Sequence, residues 1–150
     1  MKRLVLQPGL EVSEFCLGIM PWGARVCGAE ADALLHAFRE AGGNIVDTAH
    51  CYAFWTPNGA GCSEVALGDY LERHGGRDRI VIATKGAHPP VRKYRFNDRY
   101  MTPERIAADL DDSLGRMRID TVDLYWLHRD DPRVAVGEIV EMLMAEVRRG

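Results

Sequence analysis

Four residues of this chain have the types and positions to do chemistry together: Asp47, Tyr52, Lys85 and His128. Asp47 closes the apolar run NIVD, and Tyr52 follows five residues later. Lys85 closes RIVIATK and His128 closes TVDLYWLH. A tyrosine hydroxyl has an unperturbed pKa near ~10 and is a poor acid at neutral pH. An ammonium beside it stabilises the phenolate and makes the proton easier to give. Lys85 can supply that charge, and Asp47 can hold the ammonium by a charge-assisted hydrogen bond. His128 can donate a hydrogen bond to a substrate oxygen beside the phenol. Such a set suits protonation of a carbonyl oxygen while hydride reaches the carbonyl carbon. The hydride must come from a cofactor, because no side chain donates one. Taken singly, each residue has a plainer reading: a capping Asp, a solvated Lys, a structural His beside Tyr125 and Trp126. The coincidence of three at strand tips and the fourth just past one argues for chemistry.

The elements that must position these residues follow from hydrophobic pattern. LVLQPGLEVSEF alternates on either side of Pro8-Gly9 and reads as a β-hairpin. Four strand–helix units follow. FCLGIM (15–20) precedes a helix from about Glu30, with Leu34, Leu35, Phe38 and Ala41 on its inner face. NIVD precedes a helix capped by Ser63, with Val65, Leu67, Tyr70 and Leu71 inside and Gly75-Gly76 at its end. RIVIATK (79–85) precedes a helix that opens on Thr102-Pro103 and turns Ile106, Leu110, Leu114 and Met117 inward. TVDLYWLH (121–128) precedes a helix from about Val134, with Val136, Ile139, Val140, Leu143 and Val147 inside. Short, almost wholly apolar strands alternating with helices predict a parallel sheet covered by helices. The first strand–helix turn, LGIMPWGARVCG, carries neither glycine fingerprint of the doubly wound nucleotide folds. That leans towards a (β/α)8 barrel over a doubly wound sheet, and in a barrel the strand C-termini share the face where substrates bind. Two long loops leave that face: AFWTPNGAG (53–61), and 87–101, which holds the basic, aromatic run VRKYRFNDRY.

Composition narrows the function classes. Hydrophobic residues make up 47% and charged residues 27%, a globular balance. The net charge of −3 gives no reason to expect nucleic acid or an anionic membrane as partner. VRKYRFNDRY reads as a substrate lid or a solvated loop. No apolar run approaches the ~18 residues of a membrane span, and no signal peptide is evident. A cytoplasmic protein is expected. Cys16, Cys27, Cys51 and Cys62 form no C-x-x-C pair and are expected to be free thiols. His50, Cys51 and Cys62 match no common zinc spacing, so no metal is expected. His36, His74 and His88 are assigned packing or surface roles.

At these motifs the chain resembles the aldo-keto reductases. LGIMPWG looks like their first-strand motif. GGNIVDTAHCY with GCSEVALGDYL resembles G-x-N-x-x-D-T-A-x-x-Y followed by G-x-S-E-x-x-L-G. IATK looks like the third-strand motif, and DDSLGRMRIDTVDLYWLHRDD resembles S-L-x-R-L-x-x-D-x-x-D-L-Y-x-x-H. The resemblance implies a (β/α)8 barrel closed at its base by the hairpin, reducing aldehydes and ketones with NADP(H), with NAD(H) left open. It implies that Asp47, Tyr52, Lys85 and His128 are the catalytic tetrad, with Tyr52 the general acid. Gly18, Ile19 and Met20, with Asp47, would line the cofactor. Trp22 and Trp55, with Tyr52 and His128, would contact a small carbonyl substrate.

A barrel needs ~250 residues and eight strands, and this chain carries four. The expectation is one domain, 1–150, forming the N-terminal half of a barrel: hairpin 1–13, then four βα units over 14–150. It is incomplete at its C-terminus in that reading, a fragment of a normal reductase. The alternatives are a paired half-barrel homodimer joined through exposed edges, and an inactive scaffold or interaction protein.

Overall fold

Pro8 and Gly9 reverse the chain between strands β1 (Arg3–Gln7) and β2 (Leu10–Ser13), with Gly9 in the left-handed region at φ +86°. The hairpin is antiparallel. In this computed structural model, which describes residues 1–57, 59–89 and 99–150, four further strands form one parallel sheet. They are β3 (Cys16–Gly18), β4 (Ile45–Asp47), β5 (Val81–Gly86) and β6 (Leu124–Leu127), ordered as in the chain. After them come α1 (Gly28–Glu40), α2 (Cys62–His74), α3 (Pro103–Met117) and α4 (Val136–Arg149). This is a hairpin followed by four βα units, half of a (β/α)8 barrel.

Strand alternation divides the sheet into two environments. Val46 and Ile82 are fully buried on the helix side, in one core with Leu35 of α1, Leu67 and Tyr70 of α2, and Met117. Their neighbours Ile45, Asp47, Ala83 and Lys85 face the other way. With Cys16, Gly18, Leu124 and Trp126 they line an open cleft of about 430 Å³. Val12 of the hairpin packs on Ile45 and Val81 at the start of these strands. Asn44 pins the hairpin there: its side chain accepts from Ser13 N at 2.6 Å and donates to Glu11 O at 2.9 Å. The base of the half-barrel is therefore closed, and its strand C-termini are not.

Local chemistry explains most helix boundaries. Thr102 caps α3, its Oγ1 accepting from Arg105 N, and Pro103 takes the first helical position. Gly75 caps the end of α2. Ser63, expected to cap α2, lies inside it; Gly61 is the cap, at φ +87°. Glycine suits that left-handed conformation, and a Cβ would also press on the Arg116 guanidinium at 2.4 Å. Leu34 and Val65 are exposed rather than inward, since Ala31 and Leu35 already fill the α1 contact, and Ser63, Glu64 and Leu67 that of α2. The inward face assigned to α4 also needs correction. Ile139 and Leu143 are part-buried against Ala87, Tyr100 and Ile106, but Val136, Val140 and Val147 are exposed. The stripe is wider than the contact surface that α3 and β6 offer. Of the run VRKYRFNDRY, residues 91–98 lie outside the described residues.

Candidate active site

The site stands where β4, β5 and β6 end. Asp47 is the last residue of β4, in register with Gly18 of β3 and Ala83 of β5. Lys85 lies one alternation further along β5, so its side chain leaves from the same face as Ala83 and reaches back towards Asp47. Lys85 Nζ donates to Asp47 Oδ2 at 2.5 Å, to the Thr48 carbonyl at 2.7 Å and to Tyr52 Oη at 2.9 Å. All three ammonium protons thus have an acceptor, which fixes an otherwise flexible side chain. Nζ also lies 4.6 Å from the centre of the Tyr52 ring.

Tyr52 sits in the turn after β4, held by its own N–H to Ala49 O at 3.1 Å and by its carbonyl, which accepts from Gly61 N at 2.9 Å. The next residue, Ala53, is fully buried at φ +67°, a conformation disfavoured for alanine by about 1 kcal/mol or more. The turn is held in this form by the packing around it. His128 follows β6 and donates its backbone N–H to Gly86 O at 2.8 Å. Its ring stands edge-on to Tyr52, centroids 5.6 Å apart. Burial holds the imidazole neutral, its pKa pushed down to about 4, with His88, Lys85 and Arg129 adding to the effect. His128 Nδ1 lies 3.5 Å from Cys51 Sγ, and burial raises that thiol to about 11. A thiol that donates to Nδ1 across this contact would leave the ring proton on Nε2.

A scan against family models matches residues 14–150 to the aldo/keto reductase family. The chain belongs to that family. Among curated relatives it is 34% identical to norsolorinic acid reductase stcV of Emericella nidulans, over 97% of this chain and 40% of that protein. It is 35% identical to 6-dehydroglucose reductase of Novosphingobium aromaticivorans, over 81% and 39%. It is 31% identical to aryl-alcohol dehydrogenase [NADP(+)] of Phanerodontia chrysosporium, over 95% and 39%. The chain therefore spans about two fifths of the length of these relatives. Members of this aldo/keto reductase family are carbonyl-reducing oxidoreductases.

The other residues expected at the site divide. Gly18 lines the open cleft beside Asp47, with nothing within 4 Å of where a Cβ would be, and Met20 is exposed. Ile19 alternates to the helix side and is fully buried; its N–H goes to Asp47 O and its carbonyl accepts from Trp22 N. It anchors β3 to β4 and presents no side chain to the cleft. Trp22, expected on a substrate wall, is 2% exposed in the core with Leu35 and Leu67. The largest apolar surface in the segment is withdrawn from water there. Trp55 is exposed, edge-on to Phe54 at 5.0 Å between ring centroids.

Two contributors, Glu64 and Arg116, were given no role from the sequence, and a third, His88, was given a different one. Glu64, fully buried, accepts from Thr84 Oγ1 at 2.7 Å and from Arg116 at 3.0 Å. Arg116 also donates to His50 O at 2.8 Å, and His50 N donates to Lys85 O at 2.9 Å. This buried network underlies the Asp47–Lys85–Tyr52 turn. Glu64 and Arg116 are both fixed letters of motifs quoted above, S-E-x-x-L-G and S-L-x-R, and both lie on helices, where a buried charge is costly unless paired. His88, read as a loop histidine, stands 4.9 Å from the His128 ring. Among the described residues, no helix is long and apolar enough to cross a membrane.

Proposed function

We propose that this chain carries the proton-donating half of an NADP(H)-dependent reductase that converts aldehydes or ketones to alcohols. The observation that carries this reading is the single ammonium, Lys85 Nζ, shared at 2.5 Å with Asp47 and 2.9 Å with Tyr52. A phenol that accepts a hydrogen bond from an ammonium can release its proton to a carbonyl oxygen and leave a stabilised phenolate. Asp47 balances the lysine charge throughout. His128, neutral and with its proton on Nε2, donates to the same carbonyl oxygen and orients it beside Tyr52. The proton passes from Tyr52 Oη to the substrate oxygen as the carbonyl carbon is reduced.

The cleft fits a flat cofactor ring. Gly18 and Ala83 leave room beside Asp47 and Lys85, and Leu124 and Trp126 supply apolar surface. Nicotinamide supplies the hydride when bound. Gly18, Met20 and Asp47 are the residues that would hold it, and Trp55 would form part of the substrate wall. One of the similar proteins is an NADP(+) aryl-alcohol dehydrogenase, which favours NADP(H) over NAD(H). In this reading the enzyme is cytoplasmic and 1–150 is one domain, an N-terminal half-barrel. Trp126, Val136, Val140 and Val147 are exposed, so further chain of the same protein, or a second copy, covers them in the active form.

The test is reduction of an aromatic aldehyde with NADPH, alongside NADPH fluorescence titration and size-exclusion chromatography. Tyr52→Phe is expected to lower kcat by roughly 10²–10⁴-fold and to leave NADPH affinity within about twofold. Reduction by Tyr52→Phe at near wild-type rate rejects Tyr52 as the acid. A well-folded chain that neither binds NADPH nor turns over leaves the scaffold reading standing.

A further inference from the structure

Cys51, His88 and His128 bring one sulfur and two imidazole nitrogens within 4.8 Å of one another. They come from three separate segments: the turn after β4, the loop after β5 and the end of β6. Three features make the group more than a packing coincidence. Cys51 Sγ and His128 Nδ1 are 3.5 Å apart. Two ligands of one tetrahedral zinc ion, with Zn–S near ~2.3 Å and Zn–N near ~2.05 Å, stand roughly 3.3–3.6 Å apart. That pair needs no rearrangement, and the third ligand has to close in by only about an ångström.

The tautomer of His88 is the second feature. Its Nδ1 lies 2.7 Å from the Pro89 carbonyl oxygen. A carbonyl only accepts, so Nδ1 carries the proton and the Nε2 lone pair is free. Metal-binding histidines are arranged in the same way, with the non-ligating nitrogen donating to a carbonyl or carboxylate. The third feature is charge. Lys85, whose charge acts on both Cys51 and His128, is already balanced by Asp47 at 2.5 Å. A divalent ion here meets the Cys51 thiolate, with the lysine charge beside the site already neutralised.

We propose that Cys51, His88 and His128 form a binding site for a soft divalent cation of the Zn²⁺ class, with a fourth position open to water. Binding exchanges the thiol proton for the metal; no redox change is involved. Occupancy ties His128 Nδ1 to the ion with the ring where it already stands and leaves Nε2–H to the substrate carbonyl, so the metal fixes the tautomer and orientation of that donor. That consequence rests on the role given to His128 above; binding itself does not.

The test is Co²⁺ titration of the metal-free chain, read by absorbance, with Zn²⁺ as competitor. A one-to-one complex with a sulfur-to-cobalt charge-transfer band and intense tetrahedral visible bands is expected, and Zn²⁺ should bleach it. The signal should persist when Cys16, Cys27 and Cys62 are all replaced by serine. Cys51→Ser should abolish the charge-transfer band, and His88→Ala should weaken Co²⁺ binding by at least about tenfold. Circular dichroism checks the fold of each variant, and Cys51→Ala stands in if the serine destabilises the turn. Absence of the band at large Co²⁺ excess overturns the site, as does a band that survives Cys51→Ser or is unaltered in His88→Ala. Tyr52→Phe should bind Co²⁺ as wild type does, so failure of the reductase reading and failure of the metal site remain distinguishable.

Discussion

Replacing Glu64 by alanine probes the buried network beneath the tetrad. Glu64 is fully buried and both its carboxylate oxygens are used. Its removal leaves the Thr84 hydroxyl, also fully buried, without its acceptor, a penalty of about 1–3 kcal/mol. It also strips Arg116 of its buried counter-ion. Losing one partner of a fully buried pair costs about 3–5 kcal/mol. Arg116 is 23% exposed and keeps its bond to His50 O, so roughly a third of that applies here. Relief of the desolvated carboxylate offsets part of the sum, which leaves a net loss of about 3 kcal/mol. With a urea m-value near ~2 kcal/mol/M, the midpoint should fall by about 1.5 M, read by circular dichroism. Glu64→Gln retains an acceptor for Thr84 and should lose about half as much. In a double-mutant cycle with Arg116→Ala the coupling should reach about 1–2 kcal/mol. A loss below about 1 kcal/mol for Glu64→Ala, with no coupling to Arg116, would mean that water reaches the carboxylate and that the network does not support the site.

Gly61→Ala should destabilise by more than about 1 kcal/mol, since it forces alanine to φ +87° and drives Cβ into the Arg116 guanidinium; an unchanged urea midpoint would contradict that geometry. Leu35→Ala should cost about 2–5 kcal/mol, while Val136→Ala should stay within about 0.5 kcal/mol, and equal effects would show that α4 is packed as tightly as α1. In metal-free protein the His128 imidazole should remain neutral down to about pH 5, because burial pushes its pKa to about 4. The unfolded imidazole takes up its proton near ~6.5, so the unfolded chain binds the extra proton between those values. The contribution of His128 to stability is therefore complete above ~6.5 and is lost as the pH falls towards 4. An NMR titration midpoint near 6.5 in the folded chain would refute this.

Much of the architecture was legible in the residues. Hydrophobic period identified the hairpin, the four strands and the four helices, because burial of one face imposes a repeat of two or 3.6 on the chain. Thr102-Pro103 and Gly75 marked helix ends because their backbone chemistry is local. The strand-tip rule placed Asp47, Lys85 and His128 on one mouth, since parallel strands share a direction. What period could not reveal was which side of an apolar residue had a partner. Leu34, Val65, Val136, Val140 and Val147 satisfy the pattern and remain exposed, while Trp22 and Ile19 satisfy a motif and lie in the core.

By itself, then, the sequence determined the order of elements, the family and the four polar residues at and just past the strand tips, all of which depend on contacts near in the chain or on a recurring motif. The tertiary structure alone decided that Lys85 bonds Asp47 and Tyr52 at once, that Glu64 and Arg116 meet 52 residues apart, and that Cys51 faces His88 and His128 rather than His50 and Cys62. Those pairings depend on the register of neighbouring strands and the path of the loops after them. A shift of one residue in a strand turns every side chain to the opposite face, and no local pattern records the distance between two strand tips.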